Sequence, residues 1–505
     1  MTTDNTRRQR ATNEHRQWLL DRIKPDQIAR YKDGDATFLD AALIGRELDQ
    51  NRNPEPAQVR DIIRKSLAVQ TLTPQETACL LHVEDRELLE EMKQAAATVK
   101  KKVYDNRIVT FAPLYMSNFC VNDCQYCGFR RSNTKAARKI LSLEEVRREV
   151  ETLAGRIGHK RLIVVYGEHP LSDVDYIADT ITAASEVKVK TRFGWGQIRR
   201  CNVNAAPMSI EELKLLHDVG IGTFQVFQET YHRPTYEALH PSDTLKGDYE
   251  WRLYCMHRAM DAGVDDVGLG VLFGLYDWKF EVMGLLLHSI ELEKKFGIGP
   301  HTISFPRLEP ADNTPYTSNP RHAVSNDAFE RLVTVIRLAV PYTGMIITAR
   351  EDAATRKRVL PLGCTQMDAS SKIGIGAYSD TAEDQQGCRQ QFMLGDTRSL
   401  DEVIRDLALD GSITSFCTAG YRCGRTGKKI MNLLRCGKEG HFCKLNAVIT
   451  FREWLDDFAT PATLAAGEKV IAGEIEEIRQ RMPEAYKQFV EFYDKTKKGA
   501  RDLYF

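Results

Sequence analysis

Between about residue 107 and residue 378 the chain alternates short apolar runs with longer amphipathic stretches. The runs "RIVTFAPLYMSNF", "RLIVVYG", "GTFQVFQE", "DVGLGVLFG", "HTISFP" and "GMIITAR" predict buried strands, and "KTRFGWG" predicts a weaker one. The stretches between them read as helices. Ser142 and Ser209 each open one with a glutamate three residues on, the capping-box pattern. "YEWRLYCMHRAMDAG", "KFEVMGLLLHSIELEKKFG" and "NDAFERLVTVIRLAV" continue the series. Strands that alternate with helices must run parallel, and a long series of them closes into a TIM-type (β/α)8 barrel. The predicted fold class is therefore α/β, with the barrel over residues 101–380.

The flanks follow other rules. Residues 1–100 predict a helical extension, in which Thr73, Pro74 and Glu76 form an N-terminal cap. After Tyr378 the alternation stops. Residues 381–505 predict a separate, mostly helical C-terminal module that contains a cysteine-rich stretch. The 70 basic and 70 acidic residues cancel, so no summed field draws the chain to nucleic acid or to an anionic membrane. No apolar run approaches the roughly 18 residues of a membrane span. The polar N-terminus lacks a signal core, and the expected location is the cytoplasm.

The 12 cysteines are unevenly spread. Cys120, Cys124 and Cys127 stand at Cys-x3-Cys-x2-Cys spacing just after the first predicted strand. A structural zinc site wants four ligands, and no fourth Cys or His follows nearby. Three thiolates suit a 4Fe–4S cluster with one iron left open. A zinc site borrowing a distant ligand is the blander alternative. Glu168, after Gly167 at the end of "RLIVVYG", and Glu229, at the end of "GTFQVFQE", lie on the rim where barrel active sites form. Glu229 reads either as a functional carboxylate or as half of a salt bridge.

The three-cysteine loop resembles that of the radical S-adenosylmethionine superfamily. "VFQETYHRPTYEALHP", "GPHTISFPRLEPA" and "VPYTGMIITARE" narrow the resemblance to its aromatic amino acid lyases. The resemblance implies a 4Fe–4S cluster, S-adenosylmethionine, and a 5′-deoxyadenosyl radical that starts cleavage of the Cα–Cβ bond of L-tyrosine. It implies Tyr126 against the adenine, Gly167 allowing close backbone approach, and Glu168 on the cofactor's ammonium. Arg350 is the expected clamp for the substrate carboxylate, because a guanidinium binds carboxylate bidentately. Thr348, two residues earlier and so on the same strand face, would add a hydroxyl. Arg307 is the second candidate clamp, or else a rim salt bridge. An electron donor such as flavodoxin or ferredoxin is implied, with metallocofactor-assembly proteins as further partners.

The C-terminal stretch "SFCTAGYRCGRTGKKIM" resembles the module of the tyrosine-cleaving branch, which makes CO and cyanide at a second iron–sulfur cluster. The pattern there is Cys-x2-Cys-x22-Cys. Cys417 and Cys443 fill its ends, but Gly420 stands at the middle position. Cys423 and Cys436 lie between and offer substitutes, or a four-thiolate structural site, or no metal binds. His288 is aligned with a histidine that holds an extra iron in that branch; a core role is the alternative. The altered motif leaves the second half of the chemistry open. A 2-iminoacetate synthase and, in another class, an iron–sulfur scaffold are the competing functions.

Overall fold

The computed structural model describes residues 15–380, 387–424, 427–429 and 439–505. These residues form eleven strands. They are β1 (Arg107–Ser117), β2 (Arg161–Tyr166), β3 (Val189–Lys190), β4 (Trp195–Gly196), β5 (Arg200–Asn204) and β6 (Phe224–Gln225), then β7 (Val267–Gly270), β8 (Thr302–Ser304), β9 (Gly344–Ile347), β10 (Gln366–Asp368) and β11 (Ile413–Ser415). Eight of them, without β3, β4 and β11, pair in parallel in chain order. The barrel closes where β10 pairs back onto β1, with Val109 opposite Gln366 and Phe111 opposite Asp368. All eleven residues of β1 are buried, as expected for a strand with packed side chains inside and helices outside.

β1 is longer than the barrel is deep. Its first residues pair with β11, Arg107 opposite Ile413 and Val109 opposite Ser415, which fastens the C-terminal module to the barrel floor. Helix Glu439–Phe458 lies under that floor and buries Glu453 between Lys160 (3.0 Å) and Arg199 (2.9 Å). The N-terminal helices pack on the outside, with helix Arg86–Tyr104 against helix Asn326–Ala339. The caps at Thr73, Ser142 and Ser209 form as the sequence predicts, each a complete capping box.

Two predicted elements differ. "KTRFGWG" contributes the small antiparallel hairpin of β3 and β4 and no barrel strand. The strand that follows β2 in the barrel is β5, whose "RCNVN" carries inward polar groups and so lacks an apolar signature. The helix expected over "YEWRLYCMHRAMDAG" is broken at Tyr254 into Tyr249–Leu253 and Cys255–Asp261. Among the described residues no helix is long and apolar enough to cross a membrane.

Candidate active site

The C-terminal ends of the barrel strands surround a cavity of about 220 Å³. Cys120, Cys124 and Cys127 line it together, carried on the loop that leaves β1. None is in a disulfide. Burial raises the Cys120 thiol and pushes Cys124 up to about 12, although the Lys246 ammonium pulls Cys124 the other way. A metal that takes the proton's place relieves that penalty, since a coordinating thiol is deprotonated outright. Among the described residues no three His, Cys, Asp or Glu side chains converge on a point that would hold a single ion. On an iron–sulfur cube each thiolate binds its own iron, so convergence is not required of it.

β2 ends against this loop. A Cβ at Gly167 would collide with the backbone oxygen of Phe119, so only glycine lets the strand end approach the residue before Cys120. Glu168 follows, 7% exposed and on the cavity wall. Its Oε2 accepts from Asn122 Nδ2 at 2.6 Å, and Asn122 lies inside the cysteine loop. Its Oε1 is buried without a hydrogen bond. Tyr126 lines the same cavity, its hydroxyl 2.7 Å from His240 Nε2. Burial, then the Lys246 charge, holds His240 down at about 3, so the ring is neutral.

Glu229 also reaches the cavity, from a backbone with φ of 72°. Lys246 Nζ (2.6 Å) and Arg252 Nη2 (3.2 Å) both meet its Oε1. Burial alone would raise this carboxyl, but the two cations beside it hold it down at about 2. The salt-bridge reading of Glu229 and its place in the cavity are thus both correct.

Arg350 and Thr348 line the same cavity. β9 has already ended at Ile347, so a turn and not strand alternation brings them there. The Arg350 guanidinium lies 3.3 Å above the centre of the Phe392 ring and, among the described residues, has no ion-pair partner. Thr348 Oγ1 is buried and unbonded. Arg307 does not line the cavity. Its guanidinium chelates Glu351 and donates to Val324 O at 2.9 Å, so it is a rim salt bridge and its clamp role is corrected.

A second cavity, of about 60 Å³, opens at the barrel floor. Cys417, Gly420 and Cys443 line it with Arg107, Arg200 and His301. Arg200 donates to the Cys417 carbonyl at 3.1 Å and pairs with Asp266 at 3.1 Å. Cys423 does not line this cavity; its sulfur donates to Phe505 O at 3.4 Å. Cys436 lies outside the described residues. His288 is a correction: its Nδ1 meets the Tyr231 hydroxyl at 2.9 Å and its ring packs on Phe38, away from both cavities. The histidine on the floor is His301, just before β8.

Sequence reasoning missed Asn122, Lys246, Arg252 and His301. Asn122 sits inside the cysteine motif and was within reach of the pattern. The others come from segments that only barrel closure brings to the site.

The model of the radical SAM superfamily matches residues 114–286, and that of the biotin and thiamin synthesis associated domain matches residues 304–413. A crystal structure of HydG, a maturase of the FeFe-hydrogenase, superposes with a TM-score of 0.88 at 46% identity, over 93% of this chain and 100% of that one. The FeFe-hydrogenase maturase HydG from Carboxydothermus hydrogenoformans gives 0.73 at 35% identity, over 90% and 97%. 2-Iminoacetate synthase from Escherichia coli K12 is 30% identical over 351 residues, 69% of this chain and 88% of the relative.

Proposed function

Because this chain belongs to the radical S-adenosylmethionine superfamily, we propose that it is an aromatic amino acid lyase that splits L-tyrosine into p-cresol and dehydroglycine. The observation that carries the reading is the Arg350 guanidinium, which has no ion-pair partner among the described residues and shares the cavity with the three thiols. A scaffold for clusters has no use for a half-buried cation in the cavity that holds the cysteine loop. A substrate with a carboxylate does.

The residues present fit the family's cofactors. Cys120, Cys124 and Cys127 would hold a 4Fe–4S cluster, and the Glu168 carboxylate would take the ammonium of S-adenosylmethionine with Tyr126 beside its adenine. Bound there, the pair would supply a 5′-deoxyadenosyl radical able to abstract a hydrogen atom. Arg350 receives the substrate carboxylate, and Thr348 Oγ1, which has no hydrogen-bond partner among the described residues, donates to it. Phe111, Ile163 and Ile346 form a small apolar cluster on the cavity wall and offer a surface for the aromatic ring. Tyrosine has the summed formula of p-cresol and dehydroglycine; the hydrogen atom that would leave in 5′-deoxyadenosine is replaced on the cresol fragment by one proton and one electron, and the electron donor supplies that electron as well as the one that cleaves S-adenosylmethionine.

Among the described residues the floor cavity has two thiols, Cys417 and Cys443, beside Gly420, and Cys436 lies outside those residues. The proposal is confined to the chemistry of the rim, which ends at dehydroglycine. Dehydroglycine is 2-iminoacetate, the product in the name of the E. coli relative. The likeness to HydG favours a role beside hydrogenase-maturation proteins, with a flavodoxin or ferredoxin as electron donor.

The test of the site is a single replacement. Anaerobically reconstituted protein with a strong reductant should release 5′-deoxyadenosine, and Cys124→Ala should abolish the release, because two thiolates do not hold a site-differentiated cube. Undiminished release from Cys124→Ala would defeat the reading.

A further inference from the structure

We propose that Arg22, in the N-terminal extension, is a positioning residue for the cofactor site, acting through Glu168. The proposal rests on the reading of Glu168 as the partner of the cofactor's ammonium.

Arg22 follows the short helix His15–Asp21 and is 8% exposed. Its guanidinium is spent in three directions. Nη1 donates to Glu212, the capping-box glutamate of helix Ile210–Val219. Nη2 donates to Pro207 O at 2.8 Å. Nε faces Glu168 Oε1 at 3.6 Å, within ion-pair range and beyond a direct hydrogen bond. Among the described residues neither of these two facing atoms has a hydrogen-bond partner, and both are buried.

The Glu168 carboxylate is therefore bracketed. Asn122 holds one oxygen from the cysteine loop, and Asn122 is itself fixed, since its Oδ1 accepts from Lys246 N at 2.8 Å. Arg22 faces the other oxygen from outside the barrel. With one terminal nitrogen tied to Glu212 in the first turn of helix Ile210–Val219 and the other to Pro207 in the loop before it, the guanidinium cannot follow a carboxylate that swings away. Glu212 offsets its charge, so Arg22 fixes where Glu168 points without cancelling the negative charge offered to an ammonium. An oxygen left short of a hydrogen bond is available to a ligand N–H that enters beside it. The N-terminal extension, which the barrel does not need for closure, thus completes the cofactor site.

The experiment is a double-mutant cycle on anaerobically reconstituted full-length protein. Arg22→Met keeps the apolar stem and removes the guanidinium, Arg22→Lys keeps a charge, and Glu168→Gln removes the acceptor charge. The readouts are the dissociation constant for S-adenosylmethionine, kcat, iron content and thermal midpoint. Arg22→Met should weaken S-adenosylmethionine binding about tenfold, the size of a direct coupling between neighbours, while iron content holds. Arg22→Lys should recover part of the loss. In the Glu168→Gln background, Arg22→Met should add little, because its effect passes through the carboxylate. An equal loss from Arg22→Met in both backgrounds, or no loss in either, would overturn the proposal while leaving the cofactor reading intact. Unchanged binding in Glu168→Gln alone would overturn both.

Discussion

At the residue scale the cavity holds opposite charges for different ends of its ligands. Glu168 offers a negative charge beside the cysteine loop, and Arg350 a positive one on the same cavity with no ion-pair partner among the described residues. Removing Arg350 leaves a buried substrate carboxylate unpaired, which costs about 2–5 kcal/mol, or thirtyfold and more in binding. Arg350→Ala should therefore raise the apparent KM for tyrosine by about that factor, with S-adenosylmethionine binding unchanged; competition assays with a tyrosine analogue would check it. The cysteine loop was legible in the sequence because its spacing is local. Arg350 was legible too, but for a different reason than the one that holds, since β9 stops three residues short of it. Lys246 and Arg252 were not legible. Their partner Glu229 is 17 and 23 residues away along the chain, across loops with no periodic signal. The histidines show the same limit: His288 and His301 sit in similarly apolar surroundings in the sequence. Only the strand start at Thr302 puts the second of them on the floor.

At the scale of elements, strong apolar runs with caps gave correct helices and strands, and polar interiors defeated the pattern. β5 was missed because Arg200 and Asn202 turn into the barrel, where Arg200 meets Asp266. Helix Trp278–Phe296 hides another polar group inside an apolar run. Glu281 is fully buried and accepts from Thr230 Oγ1 and from Tyr231 N at 2.8 Å, which ties the helix to the segment after Glu229. Burial, against those two donors, pushes its carboxyl up to about 8. An unfolded glutamate ionises near pH 4.3, so between about pH 4.3 and 8 the folded state binds the extra proton. Stability should fall as pH rises through that window and level off above it. Glu281→Gln should flatten this slope, a difference on the order of a few kcal/mol in denaturant unfolding between about pH 5 and pH 8. Parallel pH profiles for the two proteins would contradict the assignment.

At the scale of the molecule, the barrel separates two chambers. Its rim carries three thiols and the Arg350 guanidinium, and its floor carries Cys417, Cys443 and Gly420 beneath β1 and β11. The alternation of strands and helices announced the barrel, but not the extension of β1 past the floor, because nothing in "RIVTF" marks where pairing passes from β10 to β11. The floor limits the function. Gly420→Cys restores a third thiol there and should raise iron bound per chain by about one cluster, with a new set of cluster signals in Mössbauer spectra. Iron content in the parent protein already matching two clusters would show that another thiol, with Cys436 the first to replace by alanine, completes the site.

The central claim is cleavage of an aromatic amino acid at the rim. Its most direct test is to reconstitute the protein anaerobically, supply S-adenosylmethionine and a strong reductant, and measure 5′-deoxyadenosine and p-cresol with and without L-tyrosine. The proposed function predicts that tyrosine raises 5′-deoxyadenosine formation and that p-cresol accumulates in step with dehydroglycine, detected as glyoxylate and ammonia. Formation of 5′-deoxyadenosine at the same rate with and without tyrosine, and no p-cresol, would contradict it.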